Sequence, residues 1–397
     1  MELMRLNLLI GLAMAGTLSA LPGISMANDT TTPLLVGSYT GASSKGIYVY
    51  DFDTRSGKIS PVPSQIVPAS NPSWLTFSSN RHYLYAVNEN GDGPGQIEIS
   101  GRVTSFSVDP QNGHLTQLNQ VQSLGSEPTY SSLSIDGRYL FVANYSVSSD
   151  PGGTLAVIPV KADGQLEPVV QMKTHRASHV NMDRQLSPHV HSAIMSPDGQ
   201  FVFAQDLGAD RIYVYQYDPQ AHPDAPLRAY AAQPEVRLPP GSGPRHLVFS
   251  ADGKHAYLTL EMVGKVMSFD YANGMLTRKQ EIPLADEDFK GKNGGGALHL
   301  SPDDRFLIVT NRGTDNEFIV YAVDPDSGAL SFKSRRSVEG VEPREFTFDP
   351  SGHFLLVANQ KSNAIVVFAV NLKTGVIGKQ IQSLPFSQPS DLKFLSR

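Results

Sequence analysis

Met195-Ser-Pro-Asp-Gly-Gln-Phe-Val-Phe-Ala-Gln-Asp206 decides the fold. It reads as the end of one apolar strand, a tight turn and a second apolar strand. Asp-Gly and Pro-Asp-Gly suit such a turn because Gly tolerates positive φ and Asp bonds its own backbone. The phrase recurs as Leu133-Ser-Ile-Asp-Gly-Arg-Tyr-Leu-Phe-Val-Ala-Asn144, Leu300-Ser-Pro-Asp-Asp-Arg-Phe-Leu-Ile-Val-Thr-Asn311 and Phe348-Asp-Pro-Ser-Gly-His-Phe-Leu-Leu-Val-Ala-Asn359. Looser copies run from Phe77 to Asn88 and from Phe249 to Leu260. A third strand follows each copy, such as Ile212–Tyr217, Val266–Tyr271 or Ile365–Val370. A short fourth strand then lies near a Gly-x-Leu turn at Gly113, Gly164, Gly274 or Gly328.

Four strands per unit, repeated roughly every fifty residues, is the pattern of an all-β propeller. Six units are complete. The ends make a seventh: Leu34–Tyr39, Ile47–Phe52 and Ile59–Val62 lack an innermost strand, and Pro389–Phe394 supplies one. Joining them closes the ring and removes the open edges that invite aggregation. The expectation is one seven-bladed propeller domain over residues 28–397. The stretches Asn90–Gly101 and Ala162–Pro188 read as long excursions, which tend to be functional in a compact domain.

The remaining chain bounds the function. It has 397 residues, 40% of them hydrophobic, a net charge of −6 and no Lys/Arg block, which argues against a nucleic-acid partner. Met1–Ala27 reads as a signal peptide. Arg5 begins it, Leu6 to Leu21 is almost wholly apolar, and Ser25-Met26-Ala27 places small residues at a cleavage site after Ala27. A periplasmic or secreted protein without membrane attachment is expected. Cysteine is absent, so there is no disulfide, thiolate metal site or Cys nucleophile.

A propeller places equivalent blade positions in rings around its central channel. Aligned on their turns, the starts of the innermost strands read Ser73, Thr129, His191, Arg245, Gly296, Arg344 and Ser390. The next column reads Trp74, Tyr130, Ser192, His246, Ala297, Glu345 and Asp391. The residues after the second strands read Tyr39, Glu89, Tyr145, Leu207, Glu261, Arg312 and Gln360. Antiparallel pairing puts the start of one strand beside the end of the next, so all three columns are expected at one channel mouth. Guanidinium forks with Glu261, Glu89 and His191 suit a small anionic or carbonyl-bearing ligand.

Val36-Gly-Ser-Tyr-Thr40, Asn71-Pro-Ser73, Arg184-Gln-Leu-Ser-Pro-His-Val-His191, Gly243-Pro-Arg-His246, Asn311-Arg-Gly313, Pro343-Arg-Glu-Phe346 and Ala358-Asn-Gln360 occur in that order. This ordered set resembles the propeller lactonase family, which includes 6-phosphogluconolactonases of the cycloisomerase-2 type and fungal carboxymuconate cyclases. The resemblance spans essentially the whole mature chain. It implies ring opening of a lactone, such as a sugar-acid lactone, without a metal or other cofactor. It carries catalytic roles onto His191, Arg245 and Glu261, with Arg312 as the further arginine and Arg344 its competitor. Arg344, Glu345, His246, Glu89, His189 and Gln360 are the candidate substrate-binding residues. Gly294-Gly-Gly296 departs from the family's larger residues.

On this reading Glu261 or His191 is the base, and His191, titrating near neutrality, serves as base and then acid. Arg245→Ala and Glu261→Ala are expected to abolish turnover with thermal unfolding nearly unchanged. Two other readings compete. His175, His179, His189 and His191 lie close enough in sequence to suggest a zinc lactonase. An exported propeller can also be a rigid platform that binds a sugar acid without chemistry. A Ser-His-Asp hydrolase is disfavoured, because no Gly-x-Ser-x-Gly elbow sits on a strand–helix turn.

Overall fold

A computed structural model describes residues 31–41, 43–91, 101–146 and 149–395. The predicted signal peptide and most of the Asn90–Gly101 excursion lie outside the described residues. Within them the chain forms seven antiparallel sheets arranged as a seven-bladed ring, with no helix among the described residues. The innermost strands of blades one to seven are Pro72–Phe77, Ser126–Leu133, Val190–Met195, Pro244–Phe249, Asn293–Leu300, Pro343–Phe348 and Pro389–Phe394. The last closes the ring as expected. It pairs with Thr31–Ser38, with Leu34 opposite Phe394 and Gly37 opposite Asp391.

Side chains build the recurring turn. In blade three, Ser196 Oγ donates to Asp198 Oδ1 at 2.6 Å and accepts from Phe201 N at 3.0 Å, while Gln200 N donates to the same Asp198 oxygen. Ser134 with Asp136, Ser250 with Asp252 and Ser301 with Asp303 repeat the Ser–Asp bond. The residue after the turn Asp needs positive φ; Gly199 supplies it, and in blade five Asp304 takes that conformation at φ 56. Second strands such as Phe201–Asp206 are buried along their whole length. Neighbouring blades cover both of their faces, so they read as continuous apolar runs rather than alternating ones.

Blades latch to one another at their outer hairpins. Gly57, Gly164, Gly274, Gly328 and Gly375, all at positive φ, lie against Phe354, Tyr83, Phe201, His255 and Phe306 of the preceding blade. A Cβ at Gly274 would sit 2.5 Å from Phe201 Cε1. Aromatic packing continues inward, as where Phe203, Phe249 and Tyr271 bridge blades three and four.

Two outermost strands differ from the expectation. In blade three the strand splits into Leu227–Ala229 and Glu235–Arg237, and in blade seven into Lys58–Ile59 and Gln65–Pro68. Pro234 in the first gap, and Pro61 and Pro63 in the second, lack the N–H a continuous ladder needs. The Ala162–Pro188 excursion is also shorter than expected, because the outermost strand of blade two, Gln171–His175, lies inside it.

Candidate active site at one channel mouth

The innermost strand carries a β-bulge in all seven blades. Ser73, Thr129, His191, Arg344 and Ser390 each sit as an extra residue between paired neighbours. In blades four and five two residues, Arg245 with His246 and Gly296 with Ala297, oppose one. These bulges fall on the whole first column of the alignment. A bulge breaks the simple in-and-out alternation and re-aims a side chain. That is how polar residues at the start of a buried strand reach the channel.

Side chains from blades three, four and five, and from the connection between blades two and three, converge on Glu261, which follows the second strand of blade four. Glu261 Oε2 lies 2.9 Å from Arg312 Nη2, 3.2 Å from Arg245 Nε and 4.0 Å from His191 Nε2. Its other oxygen accepts from Arg184 Nη2 at 2.7 Å. Arg312 also donates to Glu342 at 3.0 Å and to the carbonyl of Gly295 at 3.2 Å. Gly296, in the same column as Arg245, has no side chain because a Cβ there would collide with Thr310 Oγ1. Across the mouth, Tyr39 donates to Glu89 at 2.8 Å and accepts from Arg344 Nη2 at 2.7 Å, with Arg344 and Glu89 3.6 Å apart. A cavity of about 340 Å³ opens above the cluster, lined by Arg184, Glu261, Arg312, Glu342, Asn181 and Asn293 among others.

Burial and charge set the protonation states. Burial would raise the Glu261 carboxyl, but Arg312, His191, Arg245 and Arg184 together outweigh it and hold it below the usual carboxylate range. Burial, then the neighbouring Arg245, holds His191 well below the usual imidazole value. The expectation that His191 titrates near neutrality is therefore corrected: it is a neutral imidazole at neutral pH. Burial and the nearby Arg312 and Arg344 weaken the hold of Arg245 on its proton. Burial raises the Tyr39 phenol, so it stays a neutral donor to Glu89.

The three columns do not share one mouth. His246 lies beneath the cluster, its ring 5.1 Å from that of His191 and packed on Trp74 and Tyr130. Glu345 pairs with His299 at 2.5 Å. His299, Lys393, Trp74 and Tyr130 line a different cavity, together with strand ends next to the Ser-x-Asp turns. The physical reason is the bulge, which leaves the first column at the upper mouth while the next residue points down the channel. Gln360 touches the upper region through its backbone, N donating to Glu342 O.

His189 anchors a loop: its Nδ1 meets Tyr145 O and its ring stacks on Tyr145. The four histidines of the zinc reading are dispersed. His175 lies between Asp206 and Tyr215, and His179 pairs with Asp150. Between Arg312 and Arg344, it is Arg312 that reaches Glu261. Arg184, Glu342, Tyr39 and Tyr145 were not among the candidate site residues. Arg184 lay in a quoted motif, and the two tyrosines stood in the third column among charged residues.

Fold and cluster together define a propeller with a polar, charged cavity at one channel mouth. The model of the family described as "Lactonase, 7-bladed beta-propeller" matches residues 33–394, and the chain belongs to that family. A curated relative, the 6-phosphogluconolactonase of Formosa agariphila, is 33% identical over 91% of this chain and 99% of its own length. The 6-phosphogluconolactonase of Bacillus subtilis is 32% identical over 91% and 97%. The solved periplasmic gluconolactonase of Pseudomonas aeruginosa superposes with a TM-score of 0.88 at 54% identity, over 92% of this chain and 99% of that one.

Proposed function

We propose that this protein hydrolyses a sugar lactone at the Glu261 cluster. The observation that carries this reading is the meeting of Arg245, Arg312 and Arg184 on one carboxylate beside a neutral imidazole. His191 takes a proton from water as the water oxygen bonds to the lactone carbonyl carbon. Arg245 and Arg312, oriented by Glu261 Oε2, face the resulting oxyanion. The ring C–O bond then breaks, the ring oxygen takes the proton from His191, and the new acid ionises. Glu261 is too strongly stabilised as an anion to be the better base. Its role is to hold the guanidiniums in place before charge develops, where one such donor contributes about 3–4 kcal/mol.

Charge also bears on the substrate. Among the described residues at this mouth, four guanidiniums (Arg184, Arg245, Arg312 and Arg344) and the Lys361 ammonium face three carboxylates (Glu89, Glu261 and Glu342). That positive surplus suits an anionic or oxyanion-forming ligand. An unphosphorylated aldonolactone is the preferred substrate on the strength of the gluconolactonase name of the Pseudomonas relative. We place the protein outside the cytoplasm as a single propeller domain over residues 28–397, released from a signal peptide after Ala27. The periplasmic name of that relative supports this placement.

The test is a pH-stat comparison of glucono-1,5-lactone with its 6-phosphate. Rapid acid release from the unphosphorylated lactone, reduced roughly 10²–10³-fold in Arg245→Ala, is expected. Hydrolysis no faster than the spontaneous background with either lactone would overturn the proposal.

A further inference from the structure

Arg184 stands apart from the other guanidiniums of the cluster. Arg245 and Arg312 are almost fully buried, whereas 42% of the Arg184 side chain is exposed and lines the cavity. Both of its contacts, to Glu261 Oε1 at 2.7 Å and to Tyr145 Oη at 2.9 Å, run through the single nitrogen Nη2. Its backbone, by contrast, is firmly placed. The adjacent Gln185 is buried and donates to Leu207 O and Asp210 Oδ1, both at 2.8 Å. Arg184 N donates to Asn181 Oδ1 at 3.0 Å. The segment is tied at one end by His175 to Asp206, and at the other by His189 N to the same carboxylate. A fixed Cα with an exposed, singly attached guanidinium can change partner by side-chain rotation alone.

Glu261 can release it. With Arg184 gone, Oε2 still faces Arg312 and Arg245, so the carboxylate is not stranded without a counter-charge. Neither buried arginine is free in the same way: removing Arg245 from Glu261 leaves an unpaired charge in a dry site, and Arg312 is held a second time by Glu342 and the Gly295 carbonyl. Asn181 stands beside Arg184 on the cavity wall, and Asn293 lies on the wall contributed by blade five. The Asn181 oxygen is taken by Asp183 N and Arg184 N, which leaves its amide N–H₂ as a donor to hydroxyl groups.

We propose that Arg184 is the ligand-recognition arginine of this cavity, leaving Glu261 Oε1 to fork onto the carboxylate of an open-chain sugar acid. The choice of ligand rests on the lactonase reading, because that carboxylate is the group ring opening creates. A planar guanidinium matches a carboxylate at two points, which an ammonium or amide does not reproduce. The arginine thereby selects the acid over an uncharged polyol of the same length.

The test measures binding, not turnover. Calorimetric titrations with D-gluconate, and with D-glucitol as the uncharged control, are run on the wild type, Arg184→Gln and Arg184→Lys. Loss of a charge-assisted hydrogen bond of roughly 1.5–3 kcal/mol corresponds to gluconate affinity falling about 10- to 100-fold in Arg184→Gln. Arg184→Lys should recover part of the loss, glucitol affinity should change far less, and the melting temperature should confirm an intact fold. Equal gluconate affinity in Arg184→Gln and wild type, no gluconate binding by the wild type, or an equal loss for glucitol would each overturn the assignment. A wild type that binds gluconate through Arg184 but turns over no lactone would sink the enzymatic reading and leave this one standing.

Discussion

Glu261→Gln perturbs the cluster with almost no change of shape. The amide keeps the volume of the carboxylate but removes the charge that Arg184, Arg245 and Arg312 share. It also places an N–H₂ donor where one carboxylate oxygen had accepted from guanidinium donors. Arg245 is 2% exposed and cannot regain water. Removing one partner of a buried ion pair typically costs about 3–5 kcal/mol. At ~2.1 cal/mol/K of unfolding entropy per residue, that lowers the melting temperature of a chain this long by about 4–6 °C. The sequence alone led to the expectation that substitution at Glu261 leaves unfolding nearly unchanged; the buried cluster reverses it. The pH dependence carries a definite sign. The folded-state carboxyl of Glu261 is depressed, so its stabilisation is fully present above the unfolded carboxylate value of about 4.3 and is lost as pH falls through the lower folded value. Calorimetric or circular-dichroism melts from neutral pH into the acid range read both effects. Melting within about 1 °C of wild type at pH 7, where less than ~1 kcal/mol is at stake, would refute the reasoning. So would a wild-type advantage that fades while carboxylates are still ionised.

Arg312→Ala should lower kcat by roughly 10²–10³, whereas Arg344→Ala, removed from Glu261 and held by Tyr39, should act mainly on KM; steady-state kinetics with the best lactone distinguish them. Because His191 is held below its ordinary value, the acid limb of kcat/KM should lie below pH ~6.5, and a limb at or above that value would rule out His191 as a buried neutral base. Gly274→Ala should destabilise by at least about 1–3 kcal/mol from left-handed backbone strain alone, with the clash against Phe201 added, as read by denaturant unfolding. Truncation after Gln388 removes the strand that pairs with Thr31–Ser38 and should abolish the cooperative melt.

The blade count was legible because the turn chemistry is written locally. Ser196, Asp198 and Gly199 satisfy one another within a few residues, and the same arrangement recurs wherever the sequence repeats them. Strand breaks at Pro61, Pro63 and Pro234 are equally local, since each proline lacks the N–H a continuous ladder needs. The site was half legible. His191, Arg245, Glu261 and Arg312 fell on aligned columns, and ring symmetry brought them together. His246 and Glu345 fell on an adjacent column and were assigned to the same mouth, because alternation along a strand takes no account of a bulge.

Sequence by itself determined the all-β repeat, the closure of the ring by its two ends and the residue types gathered at its axis, since each follows from short-range patterns and a known symmetry. Tertiary structure alone decided which mouth each column faces, which of Arg312 and Arg344 reaches Glu261, and that Arg184 comes over from a neighbouring excursion. It also decided that His191 is neutral. Those outcomes depend on burial and on distances between blades far apart in the chain, and no local pattern encodes either.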